Sequence, residues 1–563
     1  MATVFINNQE VTIGDHERLN GIQAAARAGV QVPHYCWHPG LSVVASCRMC
    51  LVETGTRNPE TGEVSMLPKL VPACQTPAKD GTVFVTDSEK VRQARAFVEE
   101  ALLIDHPIDC PICDKAGECL LQDYHFEHGQ PERRADVKPF TSRKRPMGDT
   151  VMLFVDRCVM CSRCVRFCRE VTGTSELMVV NRGAHEEIDV FPGQPLANKM
   201  SGNVVDLCPV GALGDRDFLY EQRVWFLKRH KSVCSTCSTG CSIWAEENQD
   251  HIYRLKPREN MHINKWWMCD EGRYGFHYVH DSKRLVGPEH RTAEAAGMAN
   301  KSANAEVAAG AKAAESSKPE WEQVFRDLPE ALAKGGRAAV VLSPFLTVEE
   351  AYLLAKYVRS VNSDALVAVG FVPVVGTDET FPGGFTIRAE KCPNRRGVEE
   401  IAKHFSGPLT SWPELVSKVA AGEFDTVWVT GSYPHEWVDD AAAAAFAKVP
   451  QLIVQDIFPS PLTARATWVL PSAAFGERSG SYVNHADRLQ SFDWVVRPPQ
   501  GARSEGSVYW RLLGESGLFR PKEVLREVAA EIPYFHLAGD PIPELGVDLK
   551  LNQLASTAAE PSA

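Results

Sequence analysis

The N-terminal segment 2–13 places apolar side chains at alternate positions on both sides of Asn7 and Asn8. Alternation with a period of two predicts two half-buried β-strands, and the asparagine pair is typical of the tight turn that joins such strands. An alanine-rich stretch follows and predicts a short helix that ends near Gly29. We expect no targeting segment ahead of this hairpin, because no charged, apolar or arginine-rich leader pattern precedes it.

A helical pattern precedes His106. Thr86 and Glu89 have the spacing of a capping box, which predicts that a helix begins beside them. The helical spacing of apolar residues is absent on either side of this helix. Residues 52–66 predict an exposed loop, and residues 107–135 have a mixed, loop-like composition. The apolar face expected for the helix consists of Val91, Ala94, Val98 and Leu102.

From residue 337 onward, short apolar runs alternate with helical stretches. Thr347 and Glu350 form a second capping-box pattern directly after the first of these runs. Alternation of this kind predicts a parallel sheet with helices on both faces. The expected strands are Ala338–Leu342, Leu366–Val369, Thr426–Val429 and Leu452–Val454.

Composition and charge narrow the class of protein. The chain has 563 residues, of which 44% are hydrophobic and 23% charged, as in soluble proteins with roughly three to four domains. Its net charge of −12 gives no electrostatic basis for binding nucleic acid, and its apolar stretches are too short to span a bilayer. Residues 291–318, rich in Ala, Lys, Glu and Ser, predict a linker, and residues 551–563 predict a frayed polar tail.

The cysteines carry the chemical information. Sixteen of the 17 lie between Cys36 and Cys269. In a reducing compartment, clustered C-x-x-C spacing indicates metal binding more often than disulfides, and thiolates select iron–sulfur clusters, zinc or Cu(I). Four ligand sets, numbered in chain order, are Cys36, Cys47, Cys50 and Cys74; His106, Cys110, Cys113 and Cys119; Cys158, Cys161, Cys164 and Cys208; and Cys234, Cys237, Cys241 and Cys269.

The first and fourth sets leave zinc open as an alternative to iron. The first set has two cysteines in a tight C-x2-C loop and two more distant ones, similar to the plant-type [2Fe–2S] arrangement but with a longer first interval. The fourth set, C-x2-C-x3-C-x27-C, is compatible with a [4Fe–4S] cluster or with a zinc ribbon.

The second set, H-x3-C-x2-C-x5-C, predicts a cluster with one imidazole ligand. Replacing one thiolate by a neutral imidazole removes a negative charge, so the reduction potential should be higher than at an all-cysteine site. The alternative is that His106 is an ordinary polar residue, with His125 and His128 as competing ligands.

The third set begins with C-x2-C-x2-C, the spacing of bacterial ferredoxins that hold a [4Fe–4S] cluster. Two cysteines compete for the fourth ligand position. Cys168 completes the local run but is followed by Arg169 where a ferredoxin has proline, whereas Cys208 precedes Pro209. We therefore expect Cys208 to be the ligand and Cys168 to be a buried thiol without a ligand role.

Four segments resemble the large iron–sulfur subunit of the peripheral arm of respiratory complex I, the 75-kDa subunit family of NADH–quinone oxidoreductases. They are HYCWHPGLSVVASCRMC, HPIDCPICDKAGECLLQD, RCVMCSRCVRFC and CPVGAL. The resemblance covers the first 282 residues and implies one [2Fe–2S] cluster in the first set and [4Fe–4S] clusters in the second and third. Some family members keep a further [4Fe–4S] cluster off the main path, which the fourth set would hold.

The resemblance also implies the fold: a multidomain protein of α+β and α/β class. PNRRGVEEI at 393–401 and GERSGSYVNHADRLQ at 476–490 are similar to the degenerate molybdopterin-oxidoreductase region of the family, and no molybdopterin is expected there. The expected parts are a β-grasp [2Fe–2S] ferredoxin domain at 1–85, a [4Fe–4S] domain with one histidine and three cysteine ligands at 86–135, a bacterial ferredoxin-like segment at 136–225, a [4Fe–4S] subdomain at 226–282, a linker at 283–320, an α/β molybdopterin-oxidoreductase-like domain at 321–550 and a tail at 551–563.

The function implied is that of an electron-transfer subunit in a proton-translocating NADH–quinone oxidoreductase. Electrons from a flavin-bearing, NADH-oxidising subunit would enter at the [2Fe–2S] cluster, cross two [4Fe–4S] clusters and leave toward quinone. The implied partners are that subunit and other peripheral-arm subunits, on the cytoplasmic side of a bacterial inner membrane, with membrane contact only through the complex. No G-x-G-x-x-G dinucleotide motif is visible in the chain, in agreement with this division of labour.

Three alternatives remain from the sequence. An iron hydrogenase would need several cysteines after Cys269, and only Cys392 follows. A molybdenum-dependent, NAD-linked formate dehydrogenase would use Cys392 as a metal ligand. A zinc-stabilised scaffold would carry no redox centre and would be colourless.

Overall fold

The computed structural model describes residues 1–132, 134, 137, 143–183, 185–291, 317–334, 336–539 and 541–551. The chain forms two compact units, Met1–Leu227 with Phe381–Phe385 and Lys228–Thr380 with Thr386–Ala563. Most of the linker expected at 291–318 and of the tail expected at 551–563 lies outside the described residues. The finer domain bounds implied by the resemblance stay predictions.

The first unit opens with a six-stranded sheet of order β2-β1-β6-β3-β4, with β5 on β3. Strands β1 and β6 run parallel, and the other pairs are antiparallel. The hairpin prediction is confirmed: β1 pairs with β2, and Asn7 and Asn8 between them take φ values of 45° and 70°. The elements are β1 (Ala2–Ile6), β2 (Gln9–Ile13), α1 (Gly21–Arg27), β3 (Leu51–Arg57), β4 (Val64–Met66), β5 (Val71–Pro72) and β6 (Thr82–Val85).

The prediction of an exposed loop at 52–66 is confirmed only for residues 58–63, and the residues on either side form strands. Leu51–Arg57 pairs with Val64–Met66, and on its other side with Thr82–Val85. Val52 and Thr54 are buried. Their alternation was obscured by turn-forming residues that occupy only the tip of this hairpin.

The rest of the first unit is made of short elements between the ligand sets. A helix at Leu120–His128 corrects the prediction that 107–135 is loop-like. Two small antiparallel sheets follow, of order β11-β8-β7 and β10-β9. The elements are α2 (Glu89–Leu103), α3 (Leu120–His128), β7 (Lys144–Pro146), β8 (Val151–Phe154), α4 (Arg163–Glu170), β9 (Leu177–Val180), β10 (Glu187–Val190), α5 (Asn203–Leu207) and β11 (Leu213–Asp215).

Helix α2 begins differently from the prediction. Its N-cap is Ser88, whose side chain accepts a hydrogen bond from the Val91 amide, so the capping box of Thr86 and Glu89 is wrong. Thr86 is engaged elsewhere, because its amide donates to Asn7 Oδ1 at 2.8 Å and its hydroxyl accepts from Asn7 Nδ2 at 2.7 Å. The local spacing predicts Thr86 as the cap, but its side chain forms a hydrogen bond with a residue distant in the chain instead.

The buried face of α2 is also more polar than predicted. Val91 is buried as expected, whereas Ala94, Val98 and Leu102 are only partly buried. The other side chains that this helix buries are Arg95, Ala96 and Glu99. A polar buried face indicates that α2 packs against polar groups of its own unit as well as against an apolar core.

The second unit begins with an antiparallel sheet of order β12-β13-β14 and continues with a six-stranded sheet of order β15-β22-β21-β20-β16-β17. Two smaller antiparallel sheets, β18-β19 and β23-β24-β25, complete its strands within the described residues. The strands are β12 (Lys228–Val233), β13 (Ser242–Asn248), β14 (His251–Pro257), β15 (Glu289–His290), β16 (Ala338–Leu342), β17 (Leu366–Val369), β18 (Glu379–Thr380), β19 (Thr386–Ile387), β20 (Thr426–Thr430), β21 (Gln451–Asp456), β22 (Trp468–Pro471), β23 (Gly480–Val483), β24 (Arg488–Phe492) and β25 (Val547–Asp548).

The predicted parallel α/β sheet is confirmed. Strands β17, β16, β20, β21 and β22 pair in parallel. Val340 and Leu342 enter one hydrophobic core, while Ala339 and Val341 enter another on the opposite face. The capping box of Thr347 and Glu350 is also confirmed, at the start of Val348–Val361. The helices of this unit are α6 (Asp270–Tyr274), α7 (Trp321–Lys334), α8 (Val348–Val361), α9 (Arg395–Ser406), α10 (Trp412–Ala420), α11 (Asp440–Phe446), α12 (Glu505–Leu512) and α13 (Pro521–Glu531).

Across the described part of the chain, every helix falls short of the length and apolar character that a membrane span requires.

Candidate metal centres

All 17 cysteines are free thiols, so disulfides do not compete for the four ligand sets. Within the described residues, no three His, Cys, Asp or Glu side chains converge closely enough to chelate a single metal ion. The sets are therefore described by the loops that carry them and by the neighbours of each thiol.

The first set lies where the loop after α1 meets the end of β5. Cys36, Cys50 and Cys74 are each 1% exposed, and Cys47 is half-buried. One hydrogen bond links the thiols of Cys36 and Cys47, and another links those of Cys50 and Cys74. Two adjacent pairs of thiols suit a binuclear cluster, in which each of two irons takes two protein ligands.

Within each pair of the first set, one thiol is poised to ionise. The hydrogen bond from Cys47 lowers the pKa of Cys36 to about 5, and the same bond raises the pKa of Cys47. The bond from Cys74 lowers the pKa of Cys50, and that of Cys74 is raised. A bound metal centre would replace the shared protons, because the thiolate is the form that ligates metal.

The second set surrounds a short 3-10 turn at Cys110–Ile112 and the start of α3. Burial, with the nearby Arg157 guanidinium, lowers the pKa of His106 to about 4, so its imidazole is neutral and able to donate a lone pair to a metal. Burial raises the pKa of Cys113, and that of Cys119 to about 11. Cys110 is exposed.

The competing ligand His125 lies close to this set. It lines the same cavity of about 290 Å³ as His106 and Cys110, and its Nδ1 is buried without a hydrogen-bond partner. His128 lies on the same helix but does not line this cavity. The structure therefore brings two histidines, and not three, to the second set.

The second and third sets adjoin each other. A Cβ atom at Gly211 would lie 2.2 Å from Cys113 Sγ, so only glycine allows this approach. The amide after Cys119 donates to the carbonyl of Pro209 at 2.9 Å. Arg157, next to Cys158 in the chain, pairs with Asp109 at 2.9 Å. One backbone contact, one ion pair and one glycine thus fix the two loops together.

The third set is closed by Cys208. The loop that carries Cys158, Cys161 and Cys164 turns through Met160 and Ser162, which take φ values of 47° and 56°. Burial raises the pKa of each of these three thiols, and in each case Cys208 is a further cause.

Cys168 has a different surrounding. It is fully buried on α4, and its pKa is raised to about 12 by burial and by Glu176. The structure brings Cys208 to the three local cysteines, as expected from sequence. The ligand roles themselves stay predictions.

Two arginines that the sequence analysis missed connect the third set to the first. Arg166 donates through Nη2 to the carbonyls of Cys36 and Cys161, and through Nη1 to that of Ser42. Arg163 donates to the carbonyls of Trp37 and Leu207. Both arginines lie inside the third cysteine run, three positions apart, which is a signal that they share a helix face.

The buried arginines test whether thiolate-bound clusters fit the first and third sets. Burial lowers the pKa of Arg163, and nearby thiols, Cys161 foremost, act in the opposite direction. Buried charges require a counter-charge, and four thiolates around iron carry net negative charge. The first and third sets therefore fit iron–sulfur clusters in their donors and in the cations between them.

The fourth set lies in the second unit, at the turn between β12 and β13. The Cys234 amide donates to the Cys241 carbonyl at 2.9 Å, and the Gly272 amide donates to Cys269 Sγ at 3.4 Å. All four thiols of the set, including that of Cys237, are buried. Burial raises the pKa of Cys234 to about 11 and raises those of Cys241 and Cys269 further. A buried four-thiol pocket suits a tetranuclear cluster.

Cys392 is buried in the second unit between Phe345 and Tyr433. Burial raises its pKa, with contributions from Glu390 and from Cys237 of the fourth set. Cys392 packs in an aromatic cluster and belongs to none of the four ligand sets.

The crevice at the carboxyl ends of the parallel strands is where open α/β sheets bind ligands. Here it is filled by the chain itself: Arg478 donates to Glu350 at 3.0 Å and to Glu505 at 2.8 Å, with all three side chains buried. Asp456 accepts from the Ser432 amide at 3.0 Å, and burial raises its pKa to about 6. The guanidinium of Arg478 is thus occupied by two buried carboxyl groups and is not free to bind the anionic phosphates of a molybdopterin cofactor.

Five family models match the chain. They are the 2Fe-2S iron-sulfur cluster binding domain at 1–89, the NADH-ubiquinone oxidoreductase-G iron-sulfur binding region at 95–134, the ferredoxin-like domain of NADH-quinone oxidoreductase subunit 3 at 148–214, the molybdopterin oxidoreductase Fe4S4 domain at 227–281 and the molybdopterin oxidoreductase family at 404–515. They confirm the expected fold class and define a multidomain iron–sulfur protein.

Individual relatives agree. The G subunit of the NADH-quinone oxidoreductase of Rickettsia felis is 35% identical over 49% of this chain and 39% of the relative. The corresponding G subunit of Streptomyces coelicolor is 33% identical over 64% of this chain and 39% of the relative. The mitochondrial NADH dehydrogenase [ubiquinone] iron-sulfur protein 1 of Solanum tuberosum is 38% identical over 52% of this chain and 38% of the relative.

Over about half of its length the chain is about 35% identical to these NADH dehydrogenase subunits, and two of the matching family models are named for NADH-quinone and NADH-ubiquinone oxidoreductase subunits. The chain spans about two fifths of the length of the curated relatives it matches. A solved NAD+-reducing [NiFe]-hydrogenase in the H2-reduced state aligns with 40% of this chain and 91% of the other at 26% identity, with a TM-score of 0.32 that supports no structural argument.

Proposed function

We propose that the chain is the iron–sulfur electron-transfer subunit of an NADH–quinone oxidoreductase and is not a complete catalyst alone. The observation that carries the proposal is that three ligand sets adjoin one another in one compact unit. Arg163 and Arg166 bond to the backbone of both the first and the third set, and Gly211, near the third set, packs against a thiol of the second. Centres held this way pass electrons along one continuous path.

The clusters are one [2Fe–2S] in the first set and one [4Fe–4S] in each of the other three. The ligands are the sixteen residues of the four sets, with His106 as the single imidazole and Cys208 as the fourth ligand of the third set. When bound, such clusters accept and release single electrons. The chain provides mostly buried thiols, a neutral imidazole and loops fixed by buried arginines, with Cys110 as the exposed ligand.

The path begins at the first set and reaches the second through the third. Electrons come from a flavin-bearing, NADH-oxidising subunit and leave to a smaller cluster-bearing subunit that leads to quinone. The exposed thiol of Cys110 supports the second set as the point of departure, because a ligand at the surface brings its centre within reach of a partner.

The fourth set holds a cluster off this path, in a unit that binds no molybdopterin. The carboxyl groups of Glu350 and Glu505 support this, since both bond to the buried Arg478 and so occupy a cation that could otherwise bind an anionic cofactor. The partners are other peripheral-arm subunits, and the chain lies on the cytoplasmic side of a bacterial inner membrane as a peripheral part of the complex.

Elemental analysis of the anaerobically purified full chain tests this proposal. We expect roughly 14 iron atoms per chain, with little zinc and no molybdenum. Several zinc atoms with little iron, in protein never exposed to oxygen, would contradict the electron-transfer role and favour a zinc-stabilised scaffold. One molybdenum atom per chain would contradict the absence of the cofactor.

A further inference from the structure

Helix α4 carries two buried arginines that belong to the segment of the third ligand set and contact the backbone of the first. Arg163 is 7% exposed and Arg166 is 3% exposed. Their partners in the first-set loop are separated from them by 124 to 130 residues in the chain. Two buried cations on consecutive turns of one helix therefore lie between two thiol sets.

The contacts divide evenly between the two sets. Arg166 Nη2 donates to the carbonyl of Cys36, a ligand of the first set, and to that of Cys161, a ligand of the third, the latter at 3.2 Å. Arg163 donates to the carbonyl of Trp37, next to Cys36, and to that of Leu207, next to Cys208. Each guanidinium thus touches the backbone of both sets.

The hydrogen-bond acceptors of these arginines are neutral. They are main-chain carbonyls and the Ser162 hydroxyl. In the described residues neither arginine forms an ion pair with a carboxylate. A buried cation without a carboxylate is costly. The thiols of Cys161, Cys208 and Cys36, which belong to both sets, lie close enough to Arg163 to act on its charge.

A shared cation stabilises negative charge on both of its neighbours. Adding an electron to a thiolate-bound centre adds one negative charge, so a nearby guanidinium makes that step less unfavourable. Because each arginine contacts both loops, its effect should reach both centres and not one alone.

We propose that Arg163 and Arg166 are positioning residues that act as a common counter-charge for the first and third ligand sets, raising the reduction potentials of both centres together. The inference rests on the proposed function, because it requires clusters in both sets. It adds a role for two residues that are not themselves ligands.

Redox titration of the anaerobically purified full chain, followed by low-temperature EPR, tests the inference. In Arg166→Gln we expect the ratio of reduced to oxidised centre at fixed potential to fall about tenfold, a shift of about 59 mV for one electron, for the binuclear signal and for one tetranuclear signal. Arg163→Gln should move the same two signals in the same direction. Arg166→Lys, which keeps the charge but not the planar fork, should move them less.

Arg169→Gln is the matched control. Arg169 lies on the same helix, but its side chain is 60% exposed and pairs with Glu170, so no midpoint should change. A loaded Arg166→Gln or Arg163→Gln protein with unchanged midpoints, or with a shift in only one signal, overturns the inference. Absence of iron–sulfur signals from the unsubstituted protein would instead overturn the proposed function.

Discussion

Glu99 shows how the first unit buries polar groups near its ligand sets. Its side chain has no exposed surface, and the Tyr35 hydroxyl donates to Oε1 at 2.5 Å, while Oε2 is buried without a partner. Tyr35 precedes Cys36 in the chain, and its ring lies 5.3 Å from that of Tyr124 on α3. A carboxyl in this position is more stable when it is protonated.

Glu99→Gln should make the protein more stable at alkaline pH. Burial raises the pKa of Glu99 to about 7, above its value in the unfolded chain. The protonated group therefore contributes stability that is fully present below about pH 4 and is lost as pH rises through 7. The neutral amide does not ionise, so the variant should gain on the order of 3–4 kcal/mol relative to the original protein above pH 8.

Calorimetric melting between pH 5 and 8.5 measures this difference. Glu89→Gln, at the exposed start of the same helix, is the control and should leave the pH profile unchanged. A Glu99→Gln profile that runs parallel to that of the original protein would show that the buried carboxyl is not the group that titrates.

His106→Cys should lower the potential of the second cluster. An additional thiolate adds negative charge to the centre and disfavours its reduction. Redox-titrated EPR measures the midpoint, and the same substitution at His125 should leave it unmoved. If His125→Cys shifts the midpoint and His106→Cys does not, the imidazole ligand has been assigned to the wrong histidine.

Cys168→Ala should leave the third cluster intact, whereas Cys208→Ala should remove it. Cys208 raises the pKa of each of the three local thiols, whereas Cys168 raises only that of Cys164. Iron content and the tetranuclear EPR signals report the outcome. Loss of a signal in Cys168→Ala with retention in Cys208→Ala would reverse the assignment.

At the scale of elements, the first unit depends on short loops held against one another more than on long helices and strands. Gly211 lies two residues beyond Pro209, in the loop between α5 and β11, and packs against the thiol of Cys113. The second and third sets can therefore approach only where this loop carries no side chain.

Gly211→Ala should disrupt the second cluster. Its methyl group would lie 2.2 Å from Cys113 Sγ, so the thiol or the loop must move. We expect loss of about four iron atoms per chain, measured by iron content together with loss of one tetranuclear signal. Gly287→Ala is the control, because a Cβ there meets no atom within 4 Å; full iron content in both variants would show that the loop tolerates the shift.

At the scale of the whole molecule, the sequence predicted what depends on short spacing. The hairpin at 2–13 and the capping box of Thr347 and Glu350 are patterns within a few residues, and the parallel sheet follows from runs of buried apolar residues. Contacts over long separations were not predictable. The acceptors of Arg166 in the first-set loop lie more than 120 residues away in the chain. Thr86 bonds to Asn7 and does not cap helix α2 as its local spacing predicts.

The proposed role of this chain depends on its carrying a binuclear cluster and several tetranuclear clusters. Low-temperature EPR of the anaerobically purified full chain, reduced with dithionite, tests it most directly. We predict one binuclear signal that persists at higher temperature and tetranuclear signals that appear only near liquid-helium temperature. A reduced, correctly folded protein without iron–sulfur signals, but with zinc bound to its thiols, would contradict the account.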